Sequence, residues 1–249
     1  MPLPLPLFAL VLAGLSLSTS ACSRTEKSPS AEDVARTAQD WSALKDFTAI
    51  EATGPDNVAV TIAPDFSIKA EGDPKSVADL AISVKDGKLV IGRKSKGDWN
   101  WGRRNGDKGA TIRITMPAIR AADLTGAGDF DLDKSEGDRL DLSLTGAGDF
   151  RIGMVRLKSL SADITGAGSV KISGTADTAK LSITGAGDID GEALKVGSAD
   201  VSILGAGDID FASDGKVAIS IMGPGDVTVK GKAQCTTSGV GPGEARCIP

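Results

Sequence analysis

The sequence predicts an all-β protein that folds as a parallel β-solenoid, with about 18–20 residues in each coil. Three observations predict this fold. A pattern centred on Gly-Ala-Gly-Asp recurs along the second half of the 249-residue chain, its spacing is nearly constant, and aliphatic and polar residues alternate on both sides of it. Such a short unit cannot bury its own apolar face, so its copies must stack. A β-propeller would need a period of about 40 residues.

The repeat is the clearest signal in the chain. Its four-residue motif lies at 126–129, 146–149, 166–169, 185–188, 205–208 and 223–226, and a degenerate copy begins at Gly239. Alternate side chains of a strand point to opposite faces. Along 142–152 the leucines, Phe150 and Ile152 therefore share a face with both glycines. We expect two strands to meet at a glycine corner where an inward side chain would obstruct, with a second turn in stretches such as 133–139 and 212–216.

The segment before the repeat is also rich in strand patterns. They occur at 57–63, 66–72, 81–92 and 110–117, and Asp86-Gly87 is typical of a hairpin turn. We expect these strands to cap one end of the solenoid, because an open sheet edge invites aggregation. A loop between Cys235 and Cys247 would close the other end.

The N-terminus predicts export. Residues 1–21 are interpreted as a signal peptide of the lipoprotein type, because the apolar run at 7–17 is too short to span a bilayer. The sequence LSTSAC at 17–22 resembles a lipobox, which would make Cys22 the acylated N-terminus; the alternative is a plain secretory signal with Cys22 free. Ser23 favours sorting to the outer membrane, with a periplasmic or secreted protein as the alternative. Residues 22–45 are interpreted as a polar linker.

Composition excludes several function classes. The chain has no histidine, which removes His-dependent catalytic triads and His-ligated zinc. The net charge of −5 argues against nucleic-acid binding. In an oxidising compartment Cys235 and Cys247 are expected to form a disulfide, the alternative being two unrelated buried thiols.

Residues 46–249 resemble the DUF2807 family of auto-transporter adhesin head GIN domains. The resemblance lies in FTAIEATGPDNVAV (47–60), KLVIGRKS (88–95), ATIRITMPAI (110–119) and the serial TGAGD motifs. It implies a right-handed single-stranded β-helix at the cell surface, in a role presumed to be adhesive. It brings no set of catalytic residues.

The best candidate for ligand binding is the loop at 94–109. Its side chains include Trp99, Trp101, Arg103 and Arg104, and residues 94–108 carry five basic and two acidic groups. Tryptophan rings stack on sugars and arginine pairs with carboxylate or phosphate, so the expected ligand is a carbohydrate or an anionic envelope polymer. The alternative is that the two tryptophans fold back and cover the end of the solenoid.

A second candidate is a column of aspartates at one position of the repeat. It comprises Asp129, Asp149, Asp188, Asp208 and Asp226, with Ser169 as a gap. Stacked carboxylates repel each other, and calcium could relieve that repulsion. One acid per coil fits calcium repeats poorly, so we expect each carboxylate to bond local backbone and stay solvated, with no metal or cofactor.

The sequence therefore predicts a non-enzymatic, exported cell-envelope protein that binds or adheres. It would reach the membrane through its lipid anchor. The first alternative is a structural envelope scaffold without a small ligand. A polysaccharide-active enzyme is a more distant one, because no pair of acidic residues stands apart from the solvated faces of the coils.

Overall fold

The computed structural model of the protein describes residues 40–94 and 109–249. Strands stack side by side along one axis, which confirms the predicted β-solenoid. One short helix, α1, spans Pro74–Ala78. The strands are β1 (Ala49–Gly54), β2 (Asn57–Ile62), β3 (Ser67–Glu71), β4 (Leu80–Lys85), β5 (Lys88–Arg93), β6 (Thr111–Met116), β7 (Ala121–Gly126), β8 (Phe130–Gly146), β9 (Asp149–Gly166), β10 (Ser169–Gly185), β11 (Asp188–Gly205), β12 (Ile209–Ser213), β13 (Lys216–Met222), β14 (Val227–Lys230), β15 (Gln234–Val240) and β16 (Ala245–Ile248).

The coils stack in register, as the alternation of side chains predicts. Leu144 on β8 pairs with Ile164 on β9, and Ile164 pairs with Ile183 on β10. Each of these side chains is buried, so one aliphatic residue per coil builds a continuous core. Phe130 and Phe150 also stack, with ring centroids 5.1 Å apart. Burial of these columns is the main stabilising contribution, because a single coil has no core of its own.

The glycine corners are fixed by close approach of neighbouring coils. Gly166 has a φ of 132°, a conformation that other residues rarely adopt. A Cβ atom added to it would collide with the carbonyl oxygen of Gly146 in the preceding coil. A Cβ atom on Gly168 would collide with the carbonyl oxygen of Gly148 and would also lie 2.7 Å from Cδ2 of Leu144. The predicted obstruction is thus real, and at both glycines of this motif it comes from the backbone of the preceding coil.

The second turn of the repeat differs between coils. Residues 133–139 lie inside β8, so this stretch bends without interrupting the strand, and the expected turn there is wrong. The stretch at 212–216 does contain a turn, between β12 and β13. The bend in β8 is held by Asp133, which accepts hydrogen bonds from the backbone N–H groups of Ile62 and Lys134 at 2.9 and 2.7 Å.

The N-terminal strands do more than cap the solenoid. β1 lies between β5 and β7, and β2 lies between β6 and β8, all as parallel pairs. The pair β5–β6 therefore forms the outermost coil, although it follows β1–β2 in sequence. The cap itself consists of β3 and β4, which run antiparallel to β6 and β5. The β4–β5 hairpin turns at Asp86 and Gly87, both at positive φ, as predicted.

The C-terminal coil is closed by a disulfide. Cys235 and Cys247 are bonded, with their Cα atoms 6.7 Å apart, which confirms the predicted pair. In the preceding coil, the residues that pair with these two cysteines are Val217 and Val229, both buried. The covalent bond thus takes the place of an aliphatic core in a coil that is largely exposed. No helix in the described part of the chain is long and apolar enough to cross a membrane.

Candidate functional site

A groove of about 570 Å³ crosses the outside of the solenoid at the levels of β2, β8, β9, β10 and β11. Beneath it lies a row of aliphatic core side chains that are each at most 4% exposed, Val60, Leu132, Ile152 and Ile172. Gly153 also lines the groove, and a Cβ atom added to it would collide with the carbonyl oxygen of Asp133 in the preceding coil. Its volume lies within the range of about 300–1,000 Å³ that ligand pockets occupy.

A basic pair lies at the centre of the groove. Arg151 on β9 pairs in register with Lys171 on β10, so the two cations stand one above the other. The guanidinium of Arg151 lies 3.0 Å from Oδ2 of Asp129 and 3.2 Å from Oδ2 of Asp149. Its hydrogen bond with Asp129 raises the pKa of Arg151. The cation therefore stays charged and is held in place by two coils at once.

Carboxylates flank the basic pair. Lys171 contacts Asp190 at 2.6 Å, which lowers the pKa of Asp190 and raises that of Lys171. Glu192, at the same edge of the groove, contacts Lys230 at 2.9 Å. The lining thus places two hydrogen-bond donors between acceptors. Arg151 and Lys171 are at least half exposed and can exchange these partners for a ligand.

The aspartate column is a ladder of hydrogen bonds between coils. Oδ1 of Asp188 accepts from the backbone N–H of Asp208 at 3.0 Å, and Oδ1 of Asp208 accepts from that of Asp226 at 2.9 Å. At the gap, Ser169 donates both its N–H and its hydroxyl to Asp149. The expectation of bonding to backbone is correct, but the partner belongs to the next coil and is not local. The described residues contain no cluster of three or more acidic or cysteine side chains suited to a metal ion.

A buried carboxylate anchors both ends of the loop at 94–109. Asp56 is only 4% exposed and binds the guanidinium of Arg93 through two hydrogen bonds of 2.9 and 2.7 Å. It also accepts the N–H of Ala110 at 2.7 Å. Arg93 ends β5 and Ala110 directly precedes β6, so one side chain holds the strands on each side of the loop.

The predicted binding residues Trp99, Trp101, Arg103 and Arg104 lie outside the described residues, as does Cys22. The structure does place the stem of their loop beside the groove. Arg113, three residues after Ala110, pairs in register with Ala59, which lines the groove at the level of β2.

Sequence reasoning missed the groove, Arg151 and Asp56. A signal existed for Asp56: in GPDN at 54–57 it takes the position of the second motif glycine, where a charge cannot remain buried alone. A weaker signal existed for Arg151. It lies two residues after its motif, and the equivalent position one coil earlier holds an acidic residue, Asp131.

Comparison with known proteins identifies the family. The model of the DUF2807 family, described as "putative auto-transporter adhesin, head GIN domain", matches residues 46–233. The chain belongs to this family. Membership in this adhesin-like family implies an exported envelope protein. No curated protein matches the chain.

Solved structures share the fold over most of their length. A putative adhesin from Bacteroides fragilis is 25% identical, with a TM-score of 0.77 over 85% of this chain and 96% of that one. A putative lipid binding protein from Parabacteroides distasonis is 19% identical, with a TM-score of 0.66 over 83% and 94%. A putative adhesin from Parabacteroides merdae is also 19% identical, with a TM-score of 0.59 over 83% and 93%. The names of the family and of these neighbours are not those of enzymes.

Proposed function

We propose that this protein is a non-enzymatic binding module of the cell envelope that holds an extended carbohydrate polymer along its groove. The observation that carries the proposal is a row of charged donors and acceptors that follows the groove in register, with Arg151, Lys171 and Asp190 on successive coils. A carbohydrate chain has the matching character, because it presents hydroxyl groups along its whole length. Carboxylates such as Asp190 accept from hydroxyls, and Arg151 donates to their oxygens.

The dimensions of the groove favour a polymer over a small ligand. It crosses five strand levels, and neighbouring strands are about 4.8 Å apart, so its length is about 19 Å. The lining residues Arg151, Lys171 and Asp190 belong to paired strands and not to loops, which leaves little backbone conformational entropy to lose on binding. A chain of sugars can follow such a straight, preformed surface.

The loop at 94–109 extends this surface in the proposal. Its C-terminal stem leads into β6, beside the groove, and Asp56 fixes both stems. Trp99 and Trp101 would stack on sugar rings, while Arg103 and Arg104 would bind acidic groups of an envelope polymer. The linker before the domain would tether it to the outer membrane through the acylated Cys22.

The proposal is tested by titrating the chain from Ser23 onward with neutral and acidic envelope polysaccharides. Affinity electrophoresis and calorimetry report binding without relying on tryptophan, so they apply to every variant. The groove variant is R151A/K171A. Its matched control is R156A/K158A, which removes the same two kinds of charge from β9 at positions paired with Glu136 and Asp138, outside the groove.

The outcomes separate the alternatives. We expect saturable binding that R151A/K171A weakens at least tenfold and that R156A/K158A leaves unchanged. Loss of binding only in W99A/W101A would move the site from the groove to the loop. No binding across the panel would overturn the proposal in favour of a structural scaffold, and release of shortened sugar chains would indicate an enzyme.

A further inference from the structure

The two ends of the solenoid are built differently. At the N-terminal end, β3 and β4 pair antiparallel with the outermost coil and carry charged side chains, Lys69 and Glu71 on β3 and Lys85 on β4. Charges on edge strands keep other strands from pairing with them. At the C-terminal end, β15 runs from Gln234 to Val240 without any charged residue, and within the described residues only β13 pairs with it.

The hydrogen bonds of β15 show which of its backbone groups face outward. The N–H of Gln234 donates to the carbonyl of Gly215, and the carbonyl of Val240 accepts from Gly223. In a parallel pair alternate residues bond to the same neighbour. The N–H and C=O groups of Cys235, Thr237 and Gly239 therefore point away from β13, toward the open end.

These outward groups are arranged symmetrically about Thr237. A two-fold axis beside Thr237 would place a second β15 antiparallel to the first. Thr237 would then face its own copy, and Cys235 would face Gly239 of the other chain. Three such pairs give about six hydrogen bonds, because each pair exchanges both an N–H and a carbonyl.

The composition and the rigidity of β15 also favour a second copy of this chain as the partner of its free edge. An isologous interface brings the residue at the two-fold axis against its own copy, so a charge at Thr237 would meet a like charge; this strand carries no charge at any position. The disulfide fixes Cys235 to Cys247 and holds β15 against the last coil. Val240 and Ile248, which are 74% and 44% exposed, add apolar surface at the same end.

We infer that this protein forms a tail-to-tail dimer through antiparallel pairing of β15 with β15 of a second copy. The dimer joins the two sheets end to end and leaves both capped ends pointing outward. It also places the two grooves on one continuous rod. This inference does not depend on what the grooves bind.

The test is sedimentation analysis of the chain from Ser23 onward over a range of concentrations. The disrupting variant is Thr237→Lys, which places a charge on the symmetry axis at an exposed position. The matched control is Thr165→Lys, which adds the same charge at an exposed position midway along the solenoid. Circular dichroism verifies that both variants fold.

We expect a concentration-dependent dimer for the wild type and for Thr165→Lys, and a dissociation constant raised at least tenfold for Thr237→Lys, since like charges would face each other. The amides of Thr237 and Gly239 should exchange more slowly as the dimer forms. A monomer at every concentration would overturn the inference, as would a dimer that Thr237→Lys does not weaken.

Discussion

Replacement of one corner glycine by alanine tests the central feature of the fold. In Gly166→Ala the new Cβ meets two obstacles at once. The φ of 132° is unfavourable for alanine, which costs about 1–3 kcal/mol. The overlap with the carbonyl of Gly146 forces two coils apart, which costs about 1–3 kcal/mol more. We therefore expect a loss of about 4 kcal/mol in the free energy of unfolding.

Two control variants separate the two causes. Gly87→Ala has a positive φ of 73° but no atom within 4 Å of the added Cβ, so it should cost only about 1–2 kcal/mol. Gly168→Ala keeps an ordinary φ, but its Cβ overlaps the carbonyl of Gly148 in the preceding coil and crowds Leu144, so it should cost about 1–3 kcal/mol.

Urea unfolding of the three variants, followed by circular dichroism, measures each loss. The expected order is Gly166→Ala, then Gly168→Ala, then Gly87→Ala. If Gly166→Ala costs no more than Gly87→Ala, the close approach of the coils does not explain why glycine recurs at this position.

Three further predictions concern other contacts. Asp56→Asn should lower the free energy of unfolding, measured with urea, by about 3 kcal/mol, since it removes one partner of a buried ion pair. Asp138→Asn, the control, removes one partner of an exposed ion pair and should leave the free energy of unfolding unchanged. Lys171→Met should raise the pKa of Asp190, because the ammonium group of Lys171 lowers that pKa in the wild type. The pair stabilises the fold above the ordinary aspartate pKa of about 3.9 and loses its contribution as the pH falls through the lowered value. Carboxyl NMR shifts measured against pH follow this change. Cys247→Ser should lower the free energy of unfolding by about 3 kcal/mol, because it frees a 12-residue loop. Amide exchange should become faster in β15 and β16 but not in β9. Equal acceleration in both regions would show that the disulfide does not act locally.

The repetitive part of the fold could be predicted because local pattern and long-range packing coincide there. Leu144 and Ile164 occupy the same position of successive motifs, so their alternation already specifies which neighbours they meet. The glycine corner could be predicted for the same reason. The direction from which a side chain at Gly166 would be blocked could not be predicted, because the blocking carbonyl group belongs to another coil.

The non-repetitive part could not be predicted because its contacts cross the sequence order. No local pattern shows that β5–β6 stacks outside β1–β2, or that Asp56 reaches both Arg93 and Ala110. The groove was missed for a related reason. Its lining comes from residues that look like ordinary solvated faces in each coil, and only the register of five strands brings Arg151 and Lys171 together.

The position of β1 and β2 also has a consequence for how the chain acquires its fold. Both strands precede all other described strands in sequence, yet Gly54 pairs with Gly126, and the strands that enclose it on the other side come from residues 88–116. In the repeat, by contrast, each coil pairs with residues about 20 positions away. Contacts that close long loops form slowly, and contacts between near neighbours form quickly. Folding should therefore start among the repeats at 126–226, and β1 and β2, which precede those repeats in sequence, should be among the last strands to be enclosed.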